Sequence, residues 1–186
     1  MTIMPVYVSD AKELRSIYAP YVTDTAISFE YEVPSVDEFK KRIEDISSKL
    51  PYIKAVEDGQ ILGYAYANTF KGRKAYDWSV EVTIYIRKDS HRKGIGTKLY
   101  NVLEKSLKSI GILNMNACIA MPKENDAHLS KDSFIFHTKM GFKPVGTFHN
   151  SGYKFDKWYD MIWMEKMIGE HTSCQPDVEF GKWKVA

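Results

Sequence analysis

Residues 78–110 encode a β-strand that runs through a glycine turn into an amphipathic helix. From Trp78 the chain alternates, with Val80, Val82, Ile84 and Ile86 on one parity and Glu81, Thr83 and Tyr85 on the other. That is the period of a half-buried strand. A polar turn follows, and Arg92-Lys-Gly-Ile-Gly-Thr97 then leads into Leu99, Val102, Leu103, Leu107 and Ile110, apolar at helical spacing and closed by Gly111. Gly94 and Gly96 therefore stand at a strand-to-helix junction.

Such a junction presents unpaired backbone N–H groups and the positive end of a helix dipole, a setting that suits phosphate. Glycines let an oxyanion approach those amides, and Arg92, Lys93 and Lys98 add positive charge. A P-loop is excluded, because it needs four residues between its glycines before Lys and Ser or Thr. A dinucleotide fingerprint is excluded too, because Leu99 stands where its third glycine belongs. The residues alone leave two readings, plain turn chemistry or a phosphate cradle.

The rest of the chain reads as one α/β domain, long enough at 186 residues for a proper core. Ile3 to Val8 is expected as a short strand, and Asp10 with Glu13 as a capping box for a helix with Leu14, Ile17, Tyr18, Tyr21 and Val22 on its apolar face. Ser35 and Glu38 form a second such box before Phe39, Ile43, Ile46 and Leu50. Tyr52 to Val56 and Ile61 to Ala67 flank a Glu-Asp-Gly-Gln turn and predict a hairpin. Beyond the central helix come a buried strand (112–121), a helix (133–140) and two closing strands (143–149 and 158–167). The domain is expected to span 1–167, with 168–186 as an aperiodic, loosely attached tail whose Phe180 and Trp183 could dock on a neighbour.

A net charge of +2 creates no field that would draw nucleic acid or an anionic membrane. No segment approaches the ~20 apolar residues of a bilayer span, and the opening MTIMPVYVSD has no basic n-region, so a soluble, cytoplasmic protein is expected. Cys118 and Cys174 give no disulfide framework, and no metal-ligand spacing is present. Chemistry centres on Glu81. Flanked by Trp78, Val80 and Val82, it is a candidate general base with a raised pKa, or else a strand glutamate facing solvent. Phe29 and Glu30 either line a cleft or belong to a packed loop.

The segment from His91 to Gly96 resembles the acetyl-coenzyme A motif of the GCN5-related N-acetyltransferases, with His91 in place of the usual Gln or Arg. AYDWSVEVTIYI (75–86), FHTKMGF (136–142) and GYKFDKWYDMIWME (152–165) resemble one branch, the phosphinothricin and methionine-sulfoximine N-acetyltransferases. The resemblance implies a mixed, mostly antiparallel sheet with helices on both faces, splayed to admit acetyl-coenzyme A. It implies a small amino-acid-like amine as substrate, no metal, and a homodimer. The implied cofactor set is Ile84, Tyr85, Ile86, Arg92, Lys93, Gly94, Ile95, Gly96, Thr97 and Asn125. Glu81 becomes the general base and His137, four residues before Gly-Phe, the second catalytic group. Phe29, Glu30, Arg73, Lys74 and Tyr76 become the substrate set, with Lys71 a further candidate for an anionic group. A peptide or protein N-acetyltransferase and a non-catalytic acyl-coenzyme A sensor stand as alternatives.

Overall fold

The central strand β4 (Ser79–Ile86) forms where the alternation places it, in a computed structural model that describes residues 1–185. Val80 and Val82 are buried and pack with Ile84 and Ile86 beneath helix α3 (Ile95–Ser109). Tyr85, on the other parity, packs with Tyr18 and Tyr21 of α1 (Ala11–Thr23) on the opposite face. The second helix on that face is α2 (Val36–Ser47), capped as expected by Ser35, whose hydroxyl accepts the Glu38 N–H at 3.1 Å.

Seven strands make one sheet. They are β1 (Thr2–Pro5), β2 (Tyr52–Glu57), β3 (Gln60–Thr69), β4, β5 (Asn114–Met121), β6 (Lys143–Lys154) and β7 (Lys157–Met167), in the order β1-β2-β3-β4-β5-β7-β6. Every neighbouring pair is antiparallel except β4 and β5, which are parallel and are bridged by α3. The short helix α4 (Asp132–Lys139) lies on the α3 side, with Phe134 and Phe136 against the same core. The Asp58-Gly59 turn has left-handed backbone at both residues (φ 50° and 77°), as a two-residue hairpin requires.

The β4–β5 ladder stops early. Only Ser79–Asn114, Val80–Met115 and Glu81–Asn116 are in register. Beyond them the two strands diverge, while β5 remains fully paired to β7 as far as Met121. The side-chain amide of Asn116 donates to the Val80 carbonyl at 3.1 Å and so ties the last rung.

Four expectations are corrected. The first strand ends at Pro5, before a 3-10 turn. The Asp10–Glu13 box does not form, because Asp10 accepts the Tyr7 N–H and pairs with Lys54, while Glu13 accepts the Ile61 N–H. Strand β6 continues to Lys154; both of its faces are largely open to solvent, so alternation could not reveal its length. Finally, residues 168–185 are strapped onto their own domain, with Val178, Phe180, Trp183 and Val185 packed against the α3-side core.

The β6–β7 hairpin clamps the loop that follows α1. Lys154 is buried, and its ammonium donates to the carbonyls of Val22, Thr25 and Ser28 at 2.7, 2.9 and 2.7 Å. Substituting Lys154→Met keeps the stem but strips these acceptors of their donor, so urea unfolding should show a loss of about 2–4 kcal/mol.

Candidate active site

The divergence of β4 and β5 opens the sheet between two differently furnished faces. On the α3 side lies a cleft of about 560 Å³ walled by Ile84 and Ile86 from β4, by the glycine turn and first turn of α3, and by Ser133, Phe136 and Lys139 of α4. Gly94 and Gly96 serve it in different ways. Gly94 has a left-handed backbone (φ 74°), and a Cβ placed there would meet nothing within 4 Å. Gly96 needs space instead, since its Cβ would lie 3.1 Å from the Phe136 ring.

The first rung of α3 runs from the Lys98 N–H to the Gly94 carbonyl at 3.2 Å. The amides of Ile95, Gly96 and Thr97 precede it and, by helix geometry, have no intrahelical acceptor. Arg92 lines the same wall. The turn is anchored from α1, where the Tyr21 hydroxyl donates to the Ile86 carbonyl at 2.5 Å and lies 2.9 Å from His91 Nε2. An anionic head and an apolar, extended tail suit this cleft.

On the α1–α2 side Glu81 sits at the fork itself, the last β4 residue paired to β5. It is half-buried, and desolvation raises its carboxyl pKa above the usual range, an effect that the Lys71 ammonium opposes. Cys118 stands two residues past Asn116 on the same face; burial and the nearby Glu81 push its thiol up to about 12, which leaves it protonated and a poor nucleophile. Trp163 pairs with Cys118 across β5–β7 and meets Phe70 edge-on at 5.6 Å. A carboxylate with a raised pKa, the charge of a lysine and an aromatic wall thus meet at the fork.

A sequence profile of the acetyltransferase (GNAT) domain matches residues 3–163. The chain belongs to the GNAT acetyltransferases. It is 32% identical over 170 residues to a phosphinothricin N-acetyltransferase of Streptomyces coelicolor, covering 89% of this chain and 95% of that one. A Streptomyces viridochromogenes protein of the same name is 30% identical over 159 residues, covering 86% and 83%. Among solved structures, a GNAT superfamily phosphinothricin acetyltransferase from Sinorhizobium meliloti, in complex with AcCoA, superposes with a TM-score of 0.86 at 28% identity, covering 98% of this chain and 97% of that one. The splayed, mostly antiparallel sheet with helices on both faces is the fold that the motifs implied.

In this acetyltransferase the residues expected at the cofactor divide. Ile84, Ile86, Arg92, Gly94, Ile95, Gly96 and Thr97 line the cleft. Tyr85 faces the other way, into the tyrosines of α1 and β3; Lys93 and Asn125 are exposed and lie outside the lining. Tyr21, Ser133 and Phe136 line it without having been singled out, since their distance in sequence conceals their proximity. Of the acceptor set, Phe29 packs on Tyr159 and under Gly152, and Glu30 is bound by Arg42 and by the Tyr18 hydroxyl. Arg73 is exposed, Lys74 pairs with Asp177, and Tyr76 leans on Phe70. Lys71 is the basic residue of this loop whose charge reaches Glu81. Among the described residues no helix is long and apolar enough to cross a membrane, and no three His, Cys, Asp or Glu side chains are grouped to hold a metal ion.

His137 is placed in the core rather than at the fork. It is 4% exposed, its Nδ1 donates to the Ser133 carbonyl at 2.7 Å, and its Nε2 then accepts from the Tyr100 hydroxyl at 2.9 Å. Both nitrogens are engaged, so the ring fastens α4 to α3. The aromatics Tyr100, Phe136 and Phe142 around it explain the inward register. Burial lowers its pKa, so the folded state holds it neutral where the unfolded chain protonates near the ordinary value of about 6.5. Stability from this site is full above that value and declines as pH falls toward the folded pKa. The stability advantage of wild type over His137→Gln should therefore narrow between pH 7 and pH 5, as measured by urea unfolding. An advantage independent of pH would contradict this placement.

Proposed function

We propose that this N-acetyltransferase uses acetyl-coenzyme A to acetylate the amine of a small amino-acid-like compound of the phosphinothricin or methionine-sulfoximine type, with Glu81 taking the amine proton. The observation that carries this reading is the position of Glu81: half-buried, raised in pKa, and last on the β4–β5 ladder before the strands part. Such a carboxylate is more basic than a solvated one, and acyl transfer to nitrogen needs a group to remove the ammonium proton. The names of the Streptomyces relatives support the substrate class.

The donor fits the cleft by chemistry. The amides of Ile95, Gly96 and Thr97 with Arg92 suit its phosphates, and Ile84, Ile86 and Phe136 suit its arm. When bound, it supplies an acetyl thioester. Strand amides left unpaired past Glu81 and Asn116 are available to stabilise the developing oxyanion. On the acceptor side, Phe70 and Trp163 offer an aromatic wall, and Lys71 and the exposed Arg73 supply positive charge for an acidic group on the substrate. We place this chemistry in the cytoplasm, in a homodimer. The outer edge strand β6 suits such a contact, with Val145 and Phe148 exposed along it and Trp158 exposed on β7.

Replacing Glu81→Gln keeps shape and hydrogen-bonding capacity but removes the base. Turnover at pH 7 should fall by roughly two to four orders of magnitude, with the deficit shrinking at high pH where the amine arrives deprotonated. Near-native turnover would refute the assignment, and a wild-type protein that binds acetyl-coenzyme A yet acetylates no amine in a broad panel would favour a sensor. Gly96→Val should drive Phe136 into the cleft and weaken acetyl-coenzyme A binding by roughly tenfold or more in calorimetry, without loss of the folded state.

A further inference from the structure

Residues 168–185 follow the last strand, beyond the segment that the family profile matches. Their path is specific. The Ile168 N–H donates to the Leu113 carbonyl (2.7 Å), Glu179 N–H to Ile110 (2.9 Å) and Gly181 N–H to Lys49 (2.9 Å). The Ser106 hydroxyl donates to the Lys184 carbonyl (2.7 Å), and Trp183 Nε1–H to Ser47 (3.2 Å). The segment thus crosses from the end of β7 over the C-terminal end of α3 to the C-terminal end of α2.

On the way it meets the loop before β4. Trp78 Nε1–H donates to the Pro176 carbonyl (2.8 Å), and Lys74 pairs with Asp177 at 3.1 Å. That ion pair is exposed on both sides and adds little. Phe180 contributes more, because it closes a void of about 10 Å³ together with Lys71, Tyr76, Ser79 and Val80. The loop itself is largely exposed between Lys71 and Tyr76, and its internal support is the Phe70–Tyr76 contact. Its ends are held at Phe70 by Trp163 and at the Trp78 carbonyl by the Leu113 and Asn114 N–H groups, and the strap supports the stretch between them.

We infer that the C-terminal strap is a positioning element for the acceptor side of the active site, holding the Phe70–Trp78 loop, and with it Lys71, against the start of β4 next to Glu81. The inference rests on the acetyl-transfer reading for its kinetic consequence but not for its structural one. The strap touches α3 at Ser106 and Ile110, at the opposite end from the glycine turn. A helix of 15 residues separates those ends by about 22 Å. Loosening the strap should therefore act on the amine and spare the donor.

The test uses full-length Phe180→Ala, with Phe180→Leu as the conservative partner. In Phe180→Ala the KM for an amine that wild type acetylates should rise roughly tenfold, with kcat changed far less and acetyl-coenzyme A affinity unchanged in calorimetry. Phe180→Leu, which refills the void, should recover most of the loss. Amide hydrogen exchange should quicken at residues 70–78 and stay unchanged at 92–97. Unchanged exchange at 70–78 with an unchanged amine KM overturns the proposal. So does uniform quickening of both segments with parallel loss of donor affinity, which would make the strap a general stabiliser. If wild type acetylates no amine, the acetyl-transfer reading fails, and the exchange measurement alone decides the role of the strap.

Discussion

The whole arrangement depends on a ladder that ends after three residue pairs. Two adjacent parallel strands ordinarily continue to exchange backbone hydrogen bonds, and leaving them unpaired in a buried sheet is costly. Here β4 and β5 separate after Glu81 and Asn116, and each is held by its other neighbour, β4 by β3 and β5 by β7. The Asn116 amide bridges the two strands at the start of the fork by donating to the Val80 carbonyl. Because both strands are anchored on their far sides, the fork is a fixed feature of the fold.

Strand alternation then assigns different work to the two sides of the fork. Even-numbered residues of β4 build the core under α3 and the apolar floor of the cleft. Odd-numbered residues place Glu81 and Tyr85 on the face covered by α1 and α2. The carboxylate's environment combines two opposing influences, desolvation that makes it more basic and the Lys71 charge that makes it less so. A group tuned this way is half-buried by necessity, since full exposure would remove the first influence and full burial would exclude the substrate.

The walls around the fork come from distant parts of the chain, each with its own fastening. His137 and Tyr100 join α4 to α3. Lys154 ties the β6–β7 hairpin to the loop after α1, in which Phe29 and Glu30 lie. The C-terminal strap braces the loop that carries Lys71. The first two fastenings are buried polar groups engaged by backbone or side-chain partners, which fix geometry that apolar packing alone would leave loose, and the strap adds the packing of Phe180 to its hydrogen bonds.

By itself the sequence determined what depends on local periodicity. Alternation located β4, helical spacing after two glycines located α3, and four motifs in order indicated the family, so Glu81, Gly94 and Gly96 were legible. Tertiary structure decided everything that depends on which way a residue faces or what lies opposite it. It turned His137 into the core, turned Tyr85 away from the cleft, brought Tyr21 and Phe136 to it, and tied Lys74 to the strap while leaving the charge of Lys71 within reach of Glu81. The strap itself was invisible to periodicity because it bonds to the carbonyls of loops and helix ends rather than to a ladder. Periodicity reports a residue's face within its own element, whereas a site is made where several elements meet, and that meeting is set by long-range packing.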